Sequence, residues 1–395
     1  MNDERWLLPA GIEEVLPVEA ARLEQLRRAL LDLYRGWGYE LVIPPFIDYL
    51  DSLLTGTGHD LDLQTFKLTD QLSGRLLGVR ADMTPQVARM DAHQLRRDAP
   101  TRLCYLGTVL HTRTDGFAGT RSPLQIGAEI YGHDGPESDV EILRLLMLTL
   151  QTAGISTPYL DLGHVGVFRG LARQAGLDRS QEMALFDALQ RKAVAEIAEI
   201  VDGLGLDDAM GGMLLALAEL NGDDALDRAA TALRAAAPAV QQALERLHRI
   251  ADELHRWLPG VPVHFDLAEL RGYTYKTGVV FAAFVPGWGL EIARGGRYDD
   301  LGRVFGRARP AVGFSSDLKG LMALSADAAG GLDADGILAP WDADPSLQAV
   351  IARLRAEGHR VISELPGQHG DVAQLRCSQR LVRRDGSWRL QSTGA

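Results

Sequence analysis

The chain has 395 residues, of which 46% are hydrophobic and 24% charged, with a formal net charge of -12 and only two cysteines, Cys104 and Cys377. That length and balance predict a globular protein with two or more packed domains, while the acidic charge excludes unaided binding to a nucleic-acid backbone. Two cysteines so far apart support neither a zinc site nor a disulfide framework, and both are expected to be buried thiols.

Pro17 near a first turn, with Leu23, Leu26, Leu30 and Leu33 at helical spacing, predicts a helix over 17–35 that Gly36 and Gly38 end. The opening "MNDERWLLPAGIEE" lacks the basic and apolar pattern of a signal peptide, and no apolar run of about 18 residues follows, so no membrane is involved and the expected location is the cytoplasm. "YELVIPPFIDYL" reads as a strand stopped by Pro44 and Pro45, followed by the strands "GRLLGVRADMT", "RLCYLGTVLHT" and "PLQIGAEIYG". Short consecutive strands predict an antiparallel sheet, with a helix over 138–153 against it and a further strand in "TPYLDLGHVGVF". From about 170 to 258 the pattern is helical and reads as an insertion, which Pro259-Gly260 closes. Strands resume at "VPVHFDLAELRGYTYKTGVVFAAFVPGWGLEIARGG", with Pro286-Gly287 as a hairpin tip and Gly295-Gly296 as a tight turn. A helix over about 316–325 has Ser315 or Ser316 available as its cap. "SADAAGGLDADG" is an expected linker, and the remainder to residue 395 predicts a small α/β domain.

The common nucleotide-loop, metalloprotease and serine-hydrolase motifs are absent. What remains is three polar groups at period two: Arg80, Asp82 and Thr84; Gln125 and Glu129; and Arg271, Tyr273 and Tyr275. Taken singly, such residues are usually solvent-facing or in structural ion pairs. If their strands adjoin, they supply the carboxylates, amide, hydroxyls, guanidinium and phenols that recognise a polar zwitterion. In that arrangement carboxylates hold an ammonium or imidazole, and Arg271 holds a carboxylate.

"GYELVIPPFID", "VRADMTPQVAR", "LGTVLHTRTDGFAGTRSPLQIGAEIYG", "LRGYTY" and "GGRYDDLGRVFGRARPAVGFSSDLKGL" occur in the order of corresponding segments of histidyl-tRNA synthetase, which residues 7 to 325 resemble. The resemblance implies an α+β class II synthetase-like fold over 1–325, an antiparallel sheet flanked by helices, with dimerisation through the first class motif, and leaves 326–395 as linker and small C-terminal domain. It also implies histidine-binding roles for Asp82 (glutamate in the family), Thr84, Gln125, Glu129, Arg271 and Tyr275, with Lys276 where the family has a second tyrosine.

The phosphate side departs from the family. His111 stands where the resemblance implies an arginine on the ATP α-phosphate, and Lys319-Gly320 where it implies Glu-Arg. Adenylation moves negative charge onto phosphate oxygens, and losing one fixed donor costs on the order of 10²- to 10³-fold in rate. Arg113, two residues along from His111, is a candidate substitute. The short, mixed-charge C-terminus also differs from an anticodon-binding domain. A kept pocket beside a dismantled adenylation site resembles the regulatory subunit family of ATP phosphoribosyltransferase, to which "ELRGYTYKTGVVF" is similar. That resemblance implies no catalysis by this chain, no cofactor, a short catalytic subunit as partner in a hetero-octamer, and histidine as inhibitory effector. A divergent histidine-activating ligase and a histidine sensor with another partner are the alternatives.

Overall fold

The computed structural model describes residues 6–56, 59–114, 119–325, 336–367, 372 and 374–393. The chain divides into two compact units, residues 1–328 and 329–395. The expected linker falls largely on 326–335, outside the described residues.

Strands are numbered in chain order. In the first unit, β1 (Glu40–Leu41), β5 (Thr101–Thr108), β6 (Leu124–Tyr131), β7 (Tyr159–His164), β8 (Asn221–Gly222), β9 (Val263–Asp266), β10 (Val279–Phe284), β11 (Ala293–Arg297) and β12 (Ala311–Asp317) form one sheet. Its order is β1-β5-β6-β12-β11-β10-β7-β9-β8, and β2 (Ile47–Tyr49), β4 (Leu76–Val79) and β3 (Phe66–Thr69) make a separate small sheet in that order. The pairings are antiparallel except β1 with β5 and β7 with β9. Each parallel pair is separated by a long crossover, which parallel pairing requires and a hairpin cannot supply. The result is an α+β, class II synthetase-like fold.

The helix Pro17–Gly36 starts on its proline and buries Leu23, Leu30 and Tyr34, and the Tyr34 hydroxyl meets Thr149 Oγ1 at 3.1 Å. Thr149 belongs to the helix Pro136–Thr152, whose apolar face shares one core with Ile126, Ala128 and Ile130 of β6. Ion pairs also fasten this helix. Asp139, fully buried in its first turn, accepts from Arg297 Nη2 at 2.7 Å and from Arg246 Nη2 at 2.9 Å.

Three expectations are corrected. "VGVF" continues into the helix Val165–Gln174 rather than extending β7, because the His164 Nδ1 accepts the Gly166 N–H at 3.0 Å and caps it. Burial, then Arg246 and Arg297 nearby, holds His164 down to about 3, so it stays the neutral acceptor a cap needs. Gly295 and Gly296 lie within β11 rather than in a turn; a Cβ on Gly295 would sit 2.3 Å from both the Gly313 carbonyl oxygen and the Phe281 ring. The helix Leu318–Leu324 is capped by Asp317, which accepts from the Lys319 N–H, instead of by Ser315 or Ser316. The insertion is helical apart from the two residues of β8.

In the second unit, β13 (Gly336–Ala339), β14 (Val361–Ser363), β15 (Cys377–Arg384) and β16 (Ser387–Ser392) pair in the order β14-β13-β15-β16. The helix Pro345–Ala356 covers the sheet with Leu347, Ile351 and Leu354, packed with Ile337, Val361 and Leu381. Both cysteines are buried, and burial pushes the Cys104 thiol up to about 12. Among the described residues no helix is long and apolar enough to cross a membrane, and no cluster of His, Cys, Asp and Glu is grouped to hold a metal ion.

Candidate functional site

Alternation on β6 puts Gln125 and Glu129 on one face, as the sequence predicts. Gln125 Nε2 donates to Asp82 Oδ1 at 2.7 Å, while its Oε1 accepts the Met83 N–H at 2.9 Å. Asp82 Oδ1 also accepts the Thr84 N–H at 3.0 Å. These bonds turn the chain after Val79, where β4 ends, so residues 80–84 are not the strand face their alternation suggests. Thr84 instead opens the helix Thr84–Arg89, with Pro85 in its first turn. Arg80 serves structure, donating to the Thr108 carbonyl at 2.9 Å and the Pro44 carbonyl at 2.7 Å.

Glu129 is 1% exposed. It accepts hydroxyl bonds from Tyr105 at 2.9 Å, from Thr84 at 3.3 Å and from Tyr298. Burial pushes its carboxyl well above the usual range; Asp82 adds to the rise, and the hydroxyls of Tyr105 and Thr84 oppose it. The pocket for this carboxyl depends on Gly313, where a Cβ would lie 1.5 Å from Glu129 Oε2. Gly313→Ala is therefore expected to cost about 1–3 kcal/mol by overpacking, read as a lowered Tm; an unchanged melt would mean that Glu129 repositions freely.

The opposite wall differs from expectation. Residues after β9 form successive turns, with Gly272 at φ 74°, so Arg271, Tyr273 and Tyr275 do not share a strand face. A left-handed glycine rotates the following side chains out of alternation. Tyr273 packs on Phe186 at 5.2 Å and Phe168 at 5.4 Å, and its hydroxyl donates to Glu182, away from Gln125. Arg271 lies between Glu269, 3.1 Å from its Nε, and Glu291, which its Nη1 contacts. Tyr275 is 38% exposed.

Asp82, Thr84, Gln125, Arg271, Tyr275 and Lys276 line one cavity of about 1190 Å³. Glu129 sits behind Thr84 and does not line it. The cavity thus brings five of the six expected residues together, with the sixth bonded to their hydroxyl. Lys276 is buried, and its Nζ donates to the Gly295 carbonyl at 2.5 Å. Burial first, then Arg294 and Arg271, pulls its ammonium down to about 7, against the opposing Glu269 and Glu291.

His111, Lys319 and Gly320 line the same cavity. The His111 Nε2 is taken by the Ala81 carbonyl at 2.9 Å, and Lys319 Nζ by Glu13 at 3.1 Å. Arg113 does not share a strand face with His111, since β5 ends at Thr108, and it is exposed and outside the cavity lining. The residues missed by alternation are Glu269, Glu291, Tyr105 and Tyr298. Only Tyr105 carries a signal, as a large residue registered opposite Gly127 across the β5–β6 pair.

Comparison with known proteins gives a consistent set of relatives. The histidyl-tRNA synthetase family model matches residues 11–321, and that of the ATP phosphoribosyltransferase subunit HisZ C-terminal domain matches residues 334–391. An ATP phosphoribosyltransferase regulatory subunit of Alkalilimnicola ehrlichii is 60% identical over 386 residues, covering 98% of this chain and 96% of that one. One from Pseudomonas aeruginosa is 56% identical over 391 residues, covering 98% of each. A solved structure described as an ATP phosphoribosyltransferase regulatory subunit/histidyl-tRNA synthetase from Bacillus halodurans aligns with TM-score 0.83 at 25% identity, over 93% of this chain and 95% of that one. Histidyl-tRNA synthetase from Nostoc sp. aligns with TM-score 0.76 at 19% identity, over 95% and 91%, a likeness of fold alone.

Proposed function

The chain belongs to the family of ATP phosphoribosyltransferase regulatory subunits, built on a histidyl-tRNA synthetase-like body, and from that premise we propose how it regulates. It catalyses nothing alone. It assembles in the cytoplasm, as a homodimer within a hetero-octamer, with a short catalytic ATP phosphoribosyltransferase subunit, activates it, and conveys inhibition when histidine occupies the cavity. Residues 1–325 form the effector-binding domain, and 326–395 are linker and a separate small domain.

One observation carries this reading: Asp82, Thr84 and Gln125 form a hydrogen-bonded cluster on a cavity that is also lined by His111 and Gly320. The cluster offers oxygen acceptors to an ammonium, whereas His111 and Gly320 offer neither guanidinium that adenylation needs. Histidine can inhibit only if it binds one arrangement of the complex more tightly than the other. The test is phosphoribosyl transfer by the short catalytic subunit, alone, with this chain, and with both chain and histidine. Activation by the chain that histidine reverses is the expected result; a catalytic rate indifferent to the chain would refute it.

A further inference from the structure

Four lysine and arginine side chains line the cavity: Arg271, Lys276, Arg294 and Lys319. Arg271 is held between Glu269 and Glu291, Arg294 Nη1 reaches Glu291 at 3.4 Å, and Lys319 is paired with Glu13. A guanidinium already facing two carboxylates presents little net charge to a third. Lys276 differs, because among the described residues it has no carboxylate at ion-pair distance, and the one hydrogen-bond partner of its ammonium is the neutral Gly295 carbonyl. Two of its three donors therefore remain.

The fold makes room for this side chain. On Gly296, at φ 150°, a Cβ would lie 3.1 Å from Lys276 Cδ and 3.2 Å from its Cε. Arg169 Nη2 holds the Lys276 backbone carbonyl at 3.1 Å, fixing where the side chain starts. A buried ammonium without a counter-ion is costly unless a ligand supplies one.

We infer that Lys276, rather than Arg271, holds the carboxylate of the amino acid bound in this cavity, an inference that rests on the effector reading above. Asp82, Thr84 and Gln125 then receive the ammonium, and Arg271 and Arg294 with Glu269 and Glu291 form a neutral part of the wall.

A pH dependence follows. The charged groups facing Lys276 are Glu269 and Arg271 from the turns after β9, Glu291 from the segment before β11, and Arg294 of β11. In the empty cavity these and burial hold Lys276 at about 7. A bound carboxylate favours the ammonium and raises that value, so above about pH 7 binding takes up a proton. Affinity therefore falls as pH rises, approaching tenfold per pH unit.

The experiment is calorimetric titration of the full chain with histidine and with histidinol, which lacks the carboxylate, at pH 6.5, 7.5 and 8.5. At pH 6.5 Lys276→Met is expected to weaken histidine binding about 30-fold or more, to abolish the preference for histidine over histidinol, and to flatten the pH slope. Lys276→Arg keeps the charge, so it retains the preference but loses the slope, and it serves if the methionine variant fails to fold. Undiminished preference and slope in Lys276→Met, with wild-type binding weakened by Gln125→Ala, would overturn the Lys276 assignment alone. No histidine binding by the wild-type chain at any pH would overturn the effector reading and this inference together.

Discussion

Asp139→Ala is expected to destabilise the first unit by about 3–5 kcal/mol, seen as a lower midpoint in chemical denaturation, while a neighbouring exposed change such as Glu137→Ala has little effect. Asp139 is fully buried and holds Arg297 Nε and Nη2 at 3.0 and 2.7 Å and Arg246 Nε and Nη2 at 3.0 and 2.9 Å. Burial pushes its carboxyl upward despite both guanidiniums, so the charge does not by itself stabilise the fold. The cost of removing it comes from what is left behind. Arg297, among the largest fully buried side chains, would retain Asp299 at 3.2 Å and neutral acceptors, and Arg246 would retain the more exposed Asp134, through its carboxylate and its backbone carbonyl. Replacing Arg297 by Met in the Asp139→Ala background should recover part of the loss, because the orphaned buried charge is gone. A fully additive double variant would mean that the two residues act independently.

The same cluster shows what sequence could and could not reveal. The helix Pro17–Gly36 and the strand Leu124–Tyr131 were legible because one period runs uninterrupted along each. At 80–84 and 271–275 the alternation was equally regular but false, since hydrogen bonds from Gln125 and a left-handed Gly272 bend the chain there. Asp139 and Arg297 are separated by 158 residues, and no local pattern announces their pairing. In the candidate site, Gln125 and Glu129 followed from strand geometry, and the remaining positions from resemblance to a family. That Arg271 is neutralised by Glu269 and Glu291 did not follow from either, because the clamp joins a turn to a segment twenty residues later.

Glu129→Gln should uncouple the cavity from its buried carboxyl. The Thr84 hydroxyl donates to Glu129, which leaves its oxygen lone pairs to accept from a ligand ammonium in the cavity. A glutamine amide can donate to Thr84 instead and turn that hydroxyl around, so that it no longer accepts from the ligand. The proposed histidine affinity should fall about 10- to 100-fold, the worth of a hydrogen bond to the charged ammonium of the ligand. Stability should respond in the opposite sense. Because the folded protein raises the carboxyl well above its ordinary value, the wild type keeps a proton that the unfolded chain has lost, and its stability declines as pH rises from the ordinary carboxylate range towards that raised value. Glu129→Gln has no proton to lose, so its melting temperature should decline less between pH 5 and pH 8. A variant with weakened binding but the wild-type melting profile would separate the two roles: the carboxyl would orient Thr84 without being held protonated by burial.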